Sequence, residues 1–383
     1  MPRRFAETAQ SGFTLIEIMI ALTISVALLT VLSLVFVGNN GFRQDVDRAS
    51  RLVENSSYSM ERLVEDFRLA GYYAQFDIVA AMSLPGGLTV PTAKPDACAT
   101  DLPSLMAATP IAIQGYDGGS TATSLPTLPA SCSAIVTDLR PKSDVVLVRH
   151  VEPCVPGQTD SRGNVCAAVT AGVPYFQASQ CTPKTTALEL KSPTLSEWYR
   201  FDTNTGNLNR HMIDCNVAPP GTTADYHRFL VDIYFVSNND NAGDGIPTLK
   251  LAQLDATAGA TAFTVVPLAE GIENLQVEYG LDTNADGVPD AYTADPDNFV
   301  NAGGCPGTAA ACMTNWLNTM TAKVRLLGRT TEPSATGQTD TKTYTLGLLA
   351  DNATANTFGP FNDKFKRRVY AGTVRIYNPA GRR

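Results

Sequence analysis

Charge is scarce in this 383-residue chain: Asp, Glu, Lys and Arg together make up only 17% of it. Histidine is scarcer still, with His150, His211 and His227 the full complement. None stands at metal-ligand spacing from another, so spacing offers no zinc site. The sequence has no HExxH, no GxSxG and no GxxxxGK[ST] phosphate loop, and no two cysteines form a CxxC pair. A net charge of −8 without a basic stripe makes nucleic acid a poor candidate partner. The carboxylates gather in turn-like segments rather than as facing pairs. These absences point away from an enzyme.

The sequence does hold one long apolar run, from Gly12 to Val37, reading GFTLIEIMIALTISVALLTVLSLVFV. It has about the length that crosses a bilayer as a helix. Its single charge is Glu17, and an ionised side chain in a membrane segment calls for a partner. A secretory signal is cut after its apolar region, at small residues. Here the Gly precedes that region, at the end of a polar leader with Arg3, Arg4, Glu7 and Gln10. Cutting after Gly12 leaves the apolar helix on the mature protein.

The segment Gly12-Phe13-Thr14-Leu15-Ile16-Glu17, at the junction of leader and helix, resembles the type III (prepilin) signal of type IV pilins and type II secretion pseudopilins. The resemblance implies cleavage after Gly12 by the prepilin peptidase, N-methylation of Phe13, and a role for Glu17 in assembly, opposite a neighbouring subunit's terminal amine. Such an amine, with a pKa of about 8, is cationic at neutral pH and would suit a carboxylate in hydrocarbon. Further on, Glu65-Asp66-Phe67-Arg68-Leu69-Ala70-Gly71-Tyr72 resembles the end of the first helix in large minor pilins of the PilW type.

Eight cysteines, Cys98, Cys132, Cys154, Cys166, Cys181, Cys215, Cys305 and Cys312, all follow the apolar run. Even in number and widely spaced, they read as disulfides in an oxidising compartment. Pairing of sequential neighbours is one of about 105 connectivities. Positive charge flanks the run on both sides, with Arg3 and Arg4 before it and Arg43, Arg48 and Arg51 after. Charge alone therefore leaves orientation open; the cysteines and the prepilin resemblance place the bulk outside the cytoplasm.

Between residues 39 and 70, Phe42, Val46, Ala49, Val53, Met60, Leu63, Phe67 and Ala70 recur at helical spacing, which predicts an amphipathic helix with that stripe inward. Gly38-Asn39-Asn40-Gly41 is a predicted weak point, and Gly71 a predicted stop. Residues 83–140 read as a long loop region rich in Pro, Gly, Ser and Thr. Strands are predicted from the Val-rich 144–150, from Phe229, Val231, Ile233 and Phe235, and from Leu249 and Leu251. Others follow around Leu275, Val277, Tyr279 and Leu281, around Val324 and Leu326, and over 369–377. Short strands with turn-rich connections suggest antiparallel pairing.

Asp282, Asn284, Asp286 and Asp290, with Gly287, match the first half of a calcium loop. Thr293 stands where the bidentate Glu belongs, so Asp295 or Asp297 would have to substitute. The same residues also suit a polar β-turn. The loop around Asn238-Asn239-Asp240-Asn241 with Asp244 reads as a hairpin turn.

The expected class is α+β: a long N-terminal helix packed on an antiparallel sheet, with long disulfide-stapled loops. The expected division is a leader (1–12), a membrane and filament-core helix (13–37), its amphipathic continuation (38–71) and a loop-rich β domain (72–383). By resemblance, this is an inner-membrane prepilin, single-pass with its bulk periplasmic, that enters a pilus as a minor subunit, at the tip. The implied partners are other minor pilins, the major pilin, a tip adhesin and the prepilin peptidase. No cofactor is required, calcium at the Asp282 loop aside. The alternatives are a type II secretion minor pseudopilin, or a membrane-anchored extracytoplasmic binding protein or enzyme.

Overall fold

The computed structural model describes residues 12–82, 88–161, 163–181, 198–213, 223–301 and 303–380. Helix α1 runs unbroken over Leu15–Leu69, 55 residues, or about 83 Å at 1.5 Å per residue. It passes through Gly38 and Gly41 without the expected break. At Gly41 a tertiary contact supports it: a loop of residues 332–336 lies along the helix, whereas a Cβ on Gly38 would meet nothing within 4 Å. Arg48 bonds Glu332 at 2.5 Å and the Pro333 carbonyl at 2.7 Å, and the methyl groups of Ala335 and Thr336 face Gly41. Contacts of this kind outweigh the roughly 1 kcal/mol that each Gly costs a helix interior.

The inward face of α1 differs from the predicted stripe. Asp45, Leu52, Ser56, Ser59, Leu63, Asp66 and Phe67 are buried, whereas Phe42, Val46 and Val53 are exposed. Asp45, outside the predicted stripe, meets the 334–336 loop. Small serines face inward because the helix approaches the sheet closely: a Cβ on Gly328 would lie 2.3 Å from Ser56 Oγ and 2.7 Å from Leu52 Cδ1. Helix α1 ends as expected. Ala70 is its C-cap and Gly71 takes φ +72°, a left-handed conformation that glycine adopts without steric cost. The Asn378 side chain donates to the Ala70 carbonyl at 3.1 Å.

Among the described residues, seven strands form one antiparallel sheet: β1 (Ile113–Tyr116), β2 (Val145–Val151), β3 (Tyr175–Ala178), β4 (Tyr199–Asp202), β5 (Tyr226–Ser237), β6 (Thr248–Thr257) and β7 (Ala260–Glu270). Its path is β1-β2-β5-β3-β4, with β6 also on β5 and β7 on β6. A second sheet orders β13 (Arg367–Arg375), β10 (Thr319–Arg329), β8 (Ile272–Leu281) and β9 (Ala291–Thr293). A small pair, β11 (Tyr344–Leu348) with β12 (Ala355–Phe358), completes the strands. Helix α1 packs on β13, β10 and β7.

Period-two alternation lets β5 serve two cores. Tyr234 and Val236 join Leu63, Phe67 and the β8 residues Leu275, Val277 and Tyr279 in one. Phe229, Val231, Ile233 and Phe235 face the other, with Phe76, Phe176 and Leu105 of the short helix Leu102–Ala108. Asp144 joins the sheets, accepting the Gly118 N–H at 3.0 Å and the Val277 N–H at 2.9 Å.

Three of the sequential disulfides are formed: Cys98–Cys132, Cys154–Cys166 and Cys305–Cys312. Cys181 is disulfide-bonded, and Cys215, its expected partner, lies outside the described residues. Within the predicted loop region, residues 88–140 are more ordered than their composition suggests, since they hold the helix Leu102–Ala108 and β1.

Candidate functional site

Three groups of residues invite a functional reading, and the first is the helix start. Gly12 and Phe13 lie ahead of α1, exposed, with open space around Gly12. Thr14 is the N-cap. Its hydroxyl oxygen accepts the Glu17 N–H at 3.3 Å, and its own N–H and hydroxyl each donate to Glu17 Oε2 at 2.9 Å. This is a capping box, in which two orphan donors of the helix start are satisfied reciprocally. Within one chain, Glu17 therefore already has a partner. The large apolar side chains from Phe13 to Val37 are all exposed, a surface suited to lipid or to neighbouring helices. The leader residues 1–11 lie outside the described residues.

The second group is the Asp282 loop, where the proposed ligands largely cap the loop's own backbone. Asp282 is fully buried. One of its oxygens accepts the Ala285 N–H at 2.7 Å and the other the Gly287 N–H at 2.9 Å. Asp286 caps the Val288 N–H at 2.8 Å, and Asp290 takes the Thr283 N–H and hydroxyl, each at 2.8 Å. Asn284 turns its amide donor toward Asp286 and Asp290, at 3.2 and 3.1 Å. The substitutes for the missing glutamate are engaged elsewhere: Asp297 pairs with Lys94 at 2.5 Å and Trp316 at 2.6 Å, and Asp295 holds Asn298 at 2.6 Å. As arranged, the loop is a self-capped polar turn.

The third group was not visible in the sequence. Asp66 of α1, His150 of β2 and Asp232 of β5 converge where the end of the helix meets the seven-stranded sheet. His150 pairs in register with Leu230, which makes Asp232 its same-face diagonal neighbour across the strands. All three side chains are buried. Tyr234 donates its hydroxyl hydrogen bond to Asp66, and Arg62 lies 3.3 Å from the other carboxylate oxygen. Burial and then the adjacent Asp232 carboxylate push Asp66 up to about 6, against Tyr234 and Arg62. Burial alone would lower His150, but Asp232 outweighs it and the net direction is up. The available signal was Asp232 itself, a charge in the middle of the apolar strand FLVDIYFV.

Comparison with known proteins agrees with the two ends of this architecture. A model of the prokaryotic N-terminal methylation motif matches residues 8–33, and a model of the Type IV Pilus-assembly protein W family matches residues 233–378. The chain matches no curated protein. Among solved structures it is similar to a type IV-like pilin from Thermus thermophilus, with 18% identity over 40% of this chain and 70% of that one, at a TM-score of 0.22. That likeness is too slight to carry argument. A methylation motif that opens a long apolar helix, with antiparallel sheets packed on its outer half, defines a type IV pilin-like protein anchored to the membrane by its N-terminal helix. The second match, running from the middle of β5 to the end of the sheets, adds a PilW domain to the prepilin motif.

Proposed function

We propose that the chain is a minor pilin: cut after Gly12, methylated on Phe13, and built into the start or tip of a type IV pilus with other minor pilins, the major pilin and an adhesin. The observation that carries this reading is the division of α1. Its first half is wholly exposed and apolar, while its outer half is clamped to a large two-sheet body. Such a half-helix can bury its surface against like helices, and the bulk of the body suits an end position better than a thin repeating shaft. On entry, Glu17 exchanges the Thr14 N–H for a neighbour's Phe13 amine, a charged donor that makes a stronger bond in hydrocarbon. In this reading the role is structural and no catalysis is involved.

Mass spectrometry of the N-terminal peptide, from filaments sheared off cells and from the membranes left behind, tests the proposal. Methylated Phe13 at low abundance in the filament fraction supports it. An intact Met1 terminus confined to membranes would overturn it, and a Gly12→Ala variant, uncut, supplies the reference mass. Recovery with secretion machinery instead of pili would move the same architecture to a pseudopilin.

A further inference from the structure

Two buried polar atoms beside Asp66 have no hydrogen-bond partner among the described residues: His150 Nε2 and Asp232 Oδ2. They face each other at 3.7 Å, on side chains that are 3% and 0% exposed. That separation is too long for a hydrogen bond. It leaves a gap lined by a ring nitrogen and a carboxylate oxygen, and one ligand atom each from Asp66, His150 and Asp232 lie within 4.8 Å of one another.

We propose that this gap is a binding site for one divalent transition-metal ion, ligated by His150 Nε2, Asp232 and Asp66. The imidazole is prepared for it. His150 Nδ1 lies 3.1 Å from the Val151 carbonyl, which can only accept, so Nδ1 carries a proton and Nε2 is the ring nitrogen left to face the gap. An ion entering there displaces any proton on Nε2. An ion bonded at about 2.0–2.2 Å to both atoms subtends about 120° across the 3.7 Å separation, within the range of zinc-type geometry.

The outer partners are also in place. Gln253 donates to Asp232 Oδ1 at 2.8 Å, leaving Oδ2 free, and on Asp66 the Tyr234 hydroxyl holds one oxygen while Arg62 lies 3.3 Å from the other. Support of this kind holds ligands in orientation at metal sites. Two carboxylates and one neutral imidazole neutralise a dication, which removes the cost of burying like charges side by side. One nitrogen and two oxygens suit zinc or manganese better than a thiolate-seeking metal. Asp66 also lines a cleft between the last turns of α1 and the Cys154–Cys166 loop. Once bound, the ion would fasten the helix to β2 and β5.

The test uses the full chain in detergent, free of any histidine tag and stripped with a chelator, titrated with zinc alone and then with manganese alone. The expected result is one zinc per chain by elemental analysis after dialysis. A rise in Tm of about 5 °C at a hundredfold excess over Kd should accompany it. Asp232→Asn and His150→Gln should each weaken uptake at least about tenfold. Should either variant fail to fold, cobalt titrated into the unaltered chain reads the same site through its visible absorption and needs no variant. A folded chain that retains no zinc or manganese overturns the proposal. So does zinc held equally by both variants, which would place the ion elsewhere. A Tm that rises on acidification but not with metal would assign the gap to a proton on His150 and overturn it too.

Discussion

Replacing Asp45 by Ala should detach the outer half of α1 from the body it carries. Asp45 is 4% exposed and accepts from the hydroxyls of Ser334 and Thr336, each at 2.7 Å, from the Ala335 N–H at 2.8 Å, and from Lys366 Nζ at 3.0 Å. Removing the acceptor leaves the Ser334 and Thr336 hydroxyls only each other, at 2.9 Å, and the Ala335 N–H without its partner, at about 1–3 kcal/mol for such an unmet donor before relaxation. The Lys366 and Arg48 pairs are partly exposed and add little. A net loss of about 3 kcal/mol follows. Because it is confined to one contact, it should appear as local opening rather than global melting. Amide exchange over residues 38–50 should accelerate about a hundredfold, since each 1.4 kcal/mol is a factor of ten, while β5 and β10 stay protected. Unchanged exchange in that segment would refute the assignment of Asp45 as the clamp. The sign with pH follows from the same contacts. Burial pushes the Asp45 carboxyl up, but the bonds from Thr336, Ser334, the Ala335 N–H and Lys366 outweigh it and hold it well below the usual range. Its contribution is therefore complete above the unfolded value of about 3.9 and is lost only as pH falls further, so mutant and parent should converge in strong acid.

Glu17→Val should leave cleavage intact and lower incorporation into filaments by about a hundredfold, matching the loss of one buried ion pair worth about 3 kcal/mol; equal incorporation in sheared pili would count against that pairing. Gly328→Ala should cost about 1–3 kcal/mol, because the new methyl overlaps Ser56 and Leu52. Ser56→Ala in the same chain should recover part of the lost Tm, and no recovery would place the strain elsewhere. Removing the Cys98–Cys132 bridge by a double Ser substitution should cost about 4 kcal/mol from the loop it closes, with 34 residues of separation, read by denaturant midpoint. Calcium at millimolar levels should leave Tm unchanged, since the Asp282 loop caps itself; a rise that Asp286→Ala abolishes would show that the loop opens to take the ion.

The legible parts of this protein were those whose cause is local. The apolar run, the Gly12-to-Glu17 motif, and the strands around Val231, Val277 and Val324 each announce themselves through composition or period. The misread parts depend on neighbours distant in sequence. Gly41 stays helical with residues 335 and 336 lying against it, and Phe42 and Val46 point outward because Asp45 is the residue with donors waiting. Strands β3 and β4 have only four residues each, too few to show a period. The cluster of Asp66, His150 and Asp232 is assembled from one helix and two strands, so no spacing along the chain encodes it. The Asp282 loop was ambiguous because the residues that ligate calcium also cap turns, and only the direction of the N–H groups separates the two.

The cysteine bridges have a mechanical side. A protein held by one end of a long helix and engaged elsewhere on its surface is loaded in tension, and its weak loops set how far it yields. Unpinned, the segment between Cys98 and Cys132 could pay out roughly 110 Å of chain at 3.3 Å per residue. The bridge removes that slack, as the Cys154–Cys166 and Cys305–Cys312 bridges do for their shorter spans. Among the described residues, none of the three bonds touches α1 or crosses between the sheets, so the covalent reinforcement lies in the loops, while the helix joint relies on packing and on the groups around Asp45 and Asp66. Under a pull, the tether would lengthen first at that joint and not in its stapled loops.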